Sequence, residues 1–428
     1  MNTVGIIAEY NPFHNGHLYQ IEQIKKSTGA QNIVIAMSGD YVQRGLPAWT
    51  DKYLRTKMAL SCGAACVFEL PASFATASAE TFAMAGISLF TSLSFVDGIC
   101  FGCESSELAL LQEIAAFLVK PSKEFEQTVA NCIAKGDSYP VARQKALCSI
   151  FSSQKEACAA LLSAPNNILA IEYLKAISLL DSPLIPIPIL RNGSGYHSQK
   201  LSGAFSSASA IRIKSFEEPK KFLTSIAAAV PQNVTSLLEQ YPNHYPITEN
   251  YFSSLLYYRL SNLTEKDKNI LDMTDEIFHR IKNQFPAYAG YSQFIAQTKT
   301  KQYTYSRISR ILLRCLLHIE NPLFQKQAEG LIPAPFVPYA RLLGFLRGKS
   351  SLLRIQAKIP IITKPADGLQ NITNYYADTE EAFPGFLSYA LWMYQKDIYA
   401  SNLYRQVQKN ALGCSRPDEY HSQPVIWK

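Results

Sequence analysis

The chain has 428 residues, 47% of them apolar and 18% charged, which is too long for one ordinary core and too apolar for disorder, so two or three domains are expected. It has no apolar run of about eighteen residues and no basic head typical of a signal peptide, so the expectation is a cytoplasmic protein without a membrane span. The net charge of +7 is unevenly spread: residues 299 to 366 hold twelve Lys/Arg against two carboxylates, a local +10 that leaves −3 for the rest and suits a polyanionic partner, although a merely solvated basic surface has the same composition.

Val4–Ala8 has the length and β-branched content of a buried parallel strand. It ends at Asn11-Pro12, where the proline ring biases its neighbour away from helix. His14-Asn15-Gly16-His17 follows and leads into a helical pattern. A strand, a tight turn and a helix start favour an anion, because free N–H groups and the helix dipole point at it. Gly16 permits close backbone approach, and His14 and His17 both offer donors to phosphate oxygens, the chemistry of nucleotidyl transfer. Structural or zinc-binding histidines are the alternative, but Glu9 is the sole carboxylate just upstream and no cysteine lies close in sequence.

Further strands are predicted at Asn32–Met37, Cys66–Leu70, Gly98–Phe101 and Ile185–Leu190. Helices are predicted at Gly16–Ser27, Lys52–Cys62, Ala79–Thr91, Ser106–Val119, Glu124–Lys135 and Asn166–Leu180. The alternation to about Ser215 indicates an α/β parallel sheet, with ligands beyond the carboxyl ends of its strands. After the second strand, Asp40 and Arg44 lie in a glycine-bearing loop where an arginine fork suits a small carboxylate, unless the two simply pair with each other. Gly102 ends the fourth strand, allowing an adenosine to lie against the backbone, and Asn166-Asn167 opens a helix as ligand contacts or as caps. Arg191, after the last strand, meets phosphate or ribose, or else decorates the surface turn 190–197. Ser207 and Arg212 open a serine-rich helix able to hold phosphates, with plain capping as the competing view.

Beyond Glu217-Glu218-Pro219 the pattern turns helical, so the chain divides at 1–218 and 219–428. Helices are predicted at Tyr291–Gln297, Arg307–Leu317 and Tyr339–Phe345, with a short strand at Ile359–Thr363. Arg307, Arg310 and Arg314 share a helix face. The nine cysteines are scattered and odd in number, as buried free thiols are; the Cys100–Cys103 pair has redox or half-zinc spacing but no second pair.

The stretch AEYNPFHNGH carries the HxGH signature of the nucleotidyltransferase superfamily and resembles, more specifically, the bacterial tRNA(Met) cytidine acetate ligases. Phe205 to Arg212 is similar to the second superfamily signature, and the resemblance extends over nearly the whole chain. It implies a Rossmann-like HxGH nucleotidyltransferase domain with a parallel sheet, followed by a mainly α-helical basic domain. It implies ATP contacts at Ile7, Ala8, Glu9, Tyr10, Asn11, Phe13, His14, Asn15, Gly16, His17, Gly102, Asn167, Arg191, Ser207 and Arg212, with Mg²⁺ accompanying the ATP. Acetate would meet the Asp40 and Arg44 loop. The tRNA, elongator tRNA(Met), would lie on Lys299, Lys301, Arg307, Arg310, Arg314, Arg341, Arg347 and Lys349, with Tyr303 or Tyr305 available to stack on a base. The implied reaction forms acetyl-adenylate and then acetylates the wobble cytidine amine, with His14 and His17 as electrostatic donors and no covalent nucleophile. No membrane and no obligate protein partner is implied. A small-molecule adenylyltransferase of the coenzyme A or NAD type, or a catalytically inactive RNA-binding protein, is the competing reading; the former leaves the +10 segment idle.

Overall fold

The computed structural model describes residues 1–105, 107–191, 201, 203–320, 336–378 and 385–428. Ser106, residues 192–197 of the predicted surface turn, Lys326 and Glu329 lie outside the described residues. The five apolar runs of the first half all form strands: β1 (Thr3–Ala8), β2 (Asn32–Ser38), β5 (Cys66–Leu70), β6 (Gly98–Cys103) and β7 (Ile185–Leu190). A two-residue-by-two-residue hairpin, β3 (Tyr41–Val42) and β4 (Leu46–Pro47), follows β2. The five strands pair in parallel in the order β5-β2-β1-β6-β7.

The second half does not stay apart from this sheet. β8 (Ala340–Leu346) pairs antiparallel with β5, while β9 (Ile361–Ile362) and β10 (Val425–Trp427) pair parallel with β8, completing eight strands. Tyr339–Phe345 is therefore strand rather than the predicted helix. Its Ala, Arg and Leu residues favour helix locally, and tertiary pairing overrides that preference. Gly344 is required there, since a Cβ would stand 2.7 Å from the Val425 carbonyl oxygen. The Ile359–Thr363 strand is present at its centre.

Two apolar cores flank the sheet. One holds Ile21 and Ile24 of α1 (Asn15–Thr28) with Leu54 and Met58 of α2 (Lys52–Ser61). The other holds Phe82, Leu89, Ile114, Ile171 and Met393 from helices on the opposite face. A third core fills the helical lobe around Phe278, Phe294 and Leu312. The helix Phe386–Leu412 runs from the second core, at Tyr389 and Met393, into the third, at Tyr404 and Val407. The boundary at 218 thus does not separate sheet from helices: residues 219–428 supply both a helical lobe and three strands.

Among the described residues no helix is long and apolar enough to cross a membrane. All nine cysteines are free, and burial pushes the Cys100 thiol up to about 12, which leaves it an inert thiol.

Candidate active site

The site begins with the way α1 is capped. His14 is the N-cap, with extended backbone (φ −144°), and its Nδ1 accepts the Gly16 N–H at 3.1 Å. His17, three residues on, accepts the His14 N–H on its own Nδ1 at 3.2 Å. Two histidines thus make the reciprocal arrangement usually made by Ser/Thr and Glu. Its chemical consequence is a fixed tautomer: with Nδ1 accepting on both rings, the proton of each neutral imidazole sits on Nε2. The rings stack with centroids 3.7 Å apart, and Tyr10 packs edge-on against His17 at 4.7 Å. Gly16 is required by this packing, because a Cβ would lie 2.9 Å from His14 Cε1.

Both imidazoles are neutral. Burial, aided by the Arg191 and Arg212 cations, lowers His14 to about 3, and burial, aided by His14 and Arg191, holds His17 well below the usual range. A buried neutral ring with a fixed Nε2–H is a preorganised donor for charge developing on a phosphate oxygen.

These rings line a cavity of about 310 Å³, within the range of small-molecule sites. Ile7, Ala8, Glu9, Tyr10, Asn11, Gly16, Arg44, Gly102, Arg191, Ser207 and Arg212 line it as well. Gly102 carries no side chain because a Cβ would meet Arg191 Cγ at 3.0 Å; Arg191 lies across the strand end, its Nη1 donating to Asn166 Oδ1 at 3.1 Å. Arg212 Nη1 donates to the Asn11 carbonyl at 2.6 Å, drawing the Ser207-capped helix Ala208–Glu217 against the turn after β1.

Four expected contacts lie elsewhere. Phe13 is fully buried in the core beneath the turn. Asn15 anchors the helix start through Nδ2 to the carbonyls of Ala204 and Ala228. Asn167 faces inward, accepting the Glu104 N–H at 2.8 Å and donating to Leu161, while Asn166 lines the cavity; adjacent helix residues point about 100° apart, so one of the pair must turn away. Asp40 is buried and accepts the Lys52 N–H at 2.8 Å, so it orders α2 instead of meeting substrate or pairing with Arg44.

The arginine stripe of the helix Tyr305–Leu317 also turns partly inward. Arg314 is fully buried and bonds Asp272 and backbone carbonyls, and Arg310 reaches Asp272 at 3.8 Å. Arg341 is buried among Glu69, Glu419 and the Tyr53 hydroxyl, in a network that also holds the fully buried Lys52. Arg314 and Arg341 are therefore closed to a polyanion, because both guanidiniums are buried, Arg314 against Asp272 and backbone carbonyls and Arg341 against Glu69 and Glu419. Lys299, Lys301 and Arg347 are exposed, and Arg307 and Lys349 are half-buried. Tyr303 is buried with its hydroxyl donating to Glu276 at 2.5 Å, whereas Tyr305 is 37% exposed.

Sequence reasoning missed several lining groups: Phe82, Phe101, Leu169 and Tyr173 at an apolar wall, and Thr248 and Glu249 from the helical lobe. Gln20 follows His17 at i+3 and was findable on that spacing. The missed Arg55 binds the carbonyls of Glu9, Ser38 and Thr50, tying together the turns after β1 and β2.

The family model for HIGH Nucleotidyl Transferase matches residues 1–416. A tRNA(Met) cytidine acetate ligase of Caldanaerobacter subterraneus subsp. tengcongensis is 36% identical over 431 residues, covering 100% of both chains. A protein of the same name from Clostridium novyi is 37% identical over 368 residues, 85% of this chain and 90% of its own. The crystal structure of apo Thermotoga maritima TmcAL superposes with a TM-score of 0.88 at 27% identity, and that of the same protein bound with alpha-thio ATP at 0.86 and 26%, each covering 100% of both chains. A neutral histidine pair capping a helix at the mouth of a Rossmann-like sheet, together with these full-length matches, means that the chain belongs to the tRNA(Met) cytidine acetate ligases of the HIGH nucleotidyl transferase family.

Proposed function

We propose that the protein condenses ATP with acetate to acetyl-adenylate and pyrophosphate, then transfers the acetyl group to the wobble cytidine amine of elongator tRNA(Met), giving N-acetylcytidine, in the cytoplasm. The observation that carries this reading is the reciprocal His14–His17 cap, which fixes two neutral Nε2–H donors in the cavity.

In the first step a carboxylate oxygen of acetate attacks the α-phosphorus, and the bond to the β-phosphate oxygen breaks. Negative charge grows on the departing pyrophosphate and on the α-phosphoryl oxygens. His14 and His17 donate hydrogen bonds to that charge without gaining a proton, and Arg191, Arg212 and the Ser207 helix start supply fixed positive potential. Arg44, which lines the cavity from the hairpin after β2, is our candidate fork for the acetate carboxylate. Exposed Lys299, Lys301 and Arg347 are the candidate tRNA contacts.

Mg²⁺, expected with ATP, finds no protein-only seat: among the described residues no group of three His, Cys, Asp or Glu can hold a metal, and the cavity carries two carboxylates, Glu9 and Glu249.

The test incubates the protein with ATP, radiolabelled acetate and bacterial tRNA, beside His17→Ala. Label entering tRNA at cytidine, dependent on ATP and lost in the variant, supports the reading. ATP cleavage without label in tRNA would overturn the acceptor, and incorporation independent of His17 would overturn the role of the cap.

A further inference from the structure

Most polar groups of the cavity suit a polyphosphate, and one does not. Glu249 comes from the helical lobe, at the start of the turn Glu249–Phe252, and lines the cavity beside Thr248. A carboxylate there repels ATP and acetate alike. The cavity's other carboxylate, Glu9, already accepts the Gln43 N–H at 3.0 Å, whereas no hydrogen bond or ion pair engages the Glu249 side chain among the described residues.

Its surroundings link the cavity to the basic helix. Glu249 acts electrostatically on two phenols, the buried Tyr291 and the part-exposed Tyr305, the latter pushed up to about 12 by burial and by Glu249. Tyr305 opens the same helix that carries Arg307 and Arg310. That helix is pressed against the hairpin of Arg44: Ser309 Oγ donates to the Gly45 carbonyl at 2.8 Å, and a Cβ on Gly45 would lie 2.4 Å from Arg310 N. The carboxylate therefore stands where the hairpin lining the cavity meets the basic helix, with an exposed aromatic ring nearby.

We propose that Glu249 is the base of the acyl-transfer step, receiving the cytidine amine at the cavity mouth while Tyr305 offers its ring face to the base. The assignment rests on the reading of the protein as a tRNA acetylating ligase. The amine nitrogen bonds to the acetyl carbonyl carbon. The bond from that carbon to the adenylate phosphate oxygen breaks, and AMP departs with its electron pair. The proton shed by nitrogen passes to a Glu249 carboxylate oxygen and from there to water. An amine donor and a lone carboxylate acceptor complement each other, which explains an acidic group inside a cationic pocket.

The experiment measures two reactions of the full-length protein: acetate-dependent ATP–pyrophosphate exchange, which reports adenylation, and acetyl transfer to tRNA under single turnover. Glu249→Gln keeps shape and removes basicity. It is expected to keep or raise exchange, because losing the charge relieves repulsion of ATP and acetate, and to slow transfer by about 10²-fold or more, the usual scale for a lost general base, without raising the tRNA concentration needed for half-maximal rate. Glu249→Asp is expected to recover part of the transfer rate. Transfer within twofold of wild type in Glu249→Gln, or a parallel fall of exchange and transfer, overturns the assignment. Wild-type protein that exchanges pyrophosphate but labels no tRNA overturns the ligase reading along with it, and that failure is visible before any variant is compared.

Discussion

Gly16→Ala separates catalysis from stability. Gly16 is the second residue of α1, and no left-handed angle is required of it, so alanine is compatible with the backbone and improves local helix propensity by up to about 1 kcal/mol. The new methyl would, however, sit 2.9 Å from Cε1 and 3.1 Å from Nδ1 of His14. Carbon atoms pack at about 3.5–4.0 Å, so the ring must move by several tenths of an ångström or more. It then weakens its bond from the Gly16 N–H and pushes on His17, whose ring is stacked on it at 3.7 Å. Misplacing one preorganised donor costs about 2.7–4 kcal/mol in the transition state, a loss of 10²–10³ in rate. The assay is acetate-dependent ATP–pyrophosphate exchange, read beside the thermal midpoint. The expected result is exchange reduced by about 10²-fold with a midpoint changed by only a few degrees, because the helix gain offsets part of the overpacking cost. Exchange within twofold of wild type would refute the claim that the cap geometry sets the donors.

Further outcomes follow from burial and charge. His14 titrates near 3 when folded and near 6.5 when unfolded, so the unfolded chain binds the extra proton between those values, and stability falls as pH drops through that window by up to about 1.4 kcal/mol per pH unit; urea unfolding of His14→Asn, which keeps a capping side chain, should show a shallower pH slope, and equal slopes would contradict this. Glu419→Ala leaves Lys52 and Arg341 to share Glu69 as their one paired carboxylate and should cost about 3–5 kcal/mol, whereas a loss below about 1 kcal/mol in urea unfolding would mean that the network is wet. Arg347→Ala should lower the slope of log tRNA affinity against log salt by about 1, while Arg341→Ala should destabilise the fold; a slope changed by Arg341→Ala in a protein of native stability would reverse the assignment of that residue to the interior.

The parallel strands and the histidine-bearing turn that opens α1 were legible because their signals are local. Val4–Ala8 is β-branched and continuous, and His14, Gly16 and His17 sit within the first turn of one helix. What was not legible depends on partners distant in sequence. β8 reads as helix until β5 and β10 claim its backbone. The +10 segment looked like one surface, yet Arg314 meets Asp272 and Arg341 meets Glu69 and Glu419, all contacts that charge counting along the chain does not see. Asn166 and Asn167 differ only in which way the helix turns them. Glu249 had no motif at all, and only the packing of the helical lobe against the β3–β4 hairpin brings it to the cavity.

The most direct test of the account is a chase. The protein is incubated with ATP labelled in the adenylate and with labelled acetate, excess ATP is removed, and tRNA is added. A protein-held acetyl-adenylate that delivers one acetyl group to tRNA per AMP released, without fresh ATP, is the result expected. AMP formed with acetate left free, or transfer that needs ATP again in the chase, would contradict it.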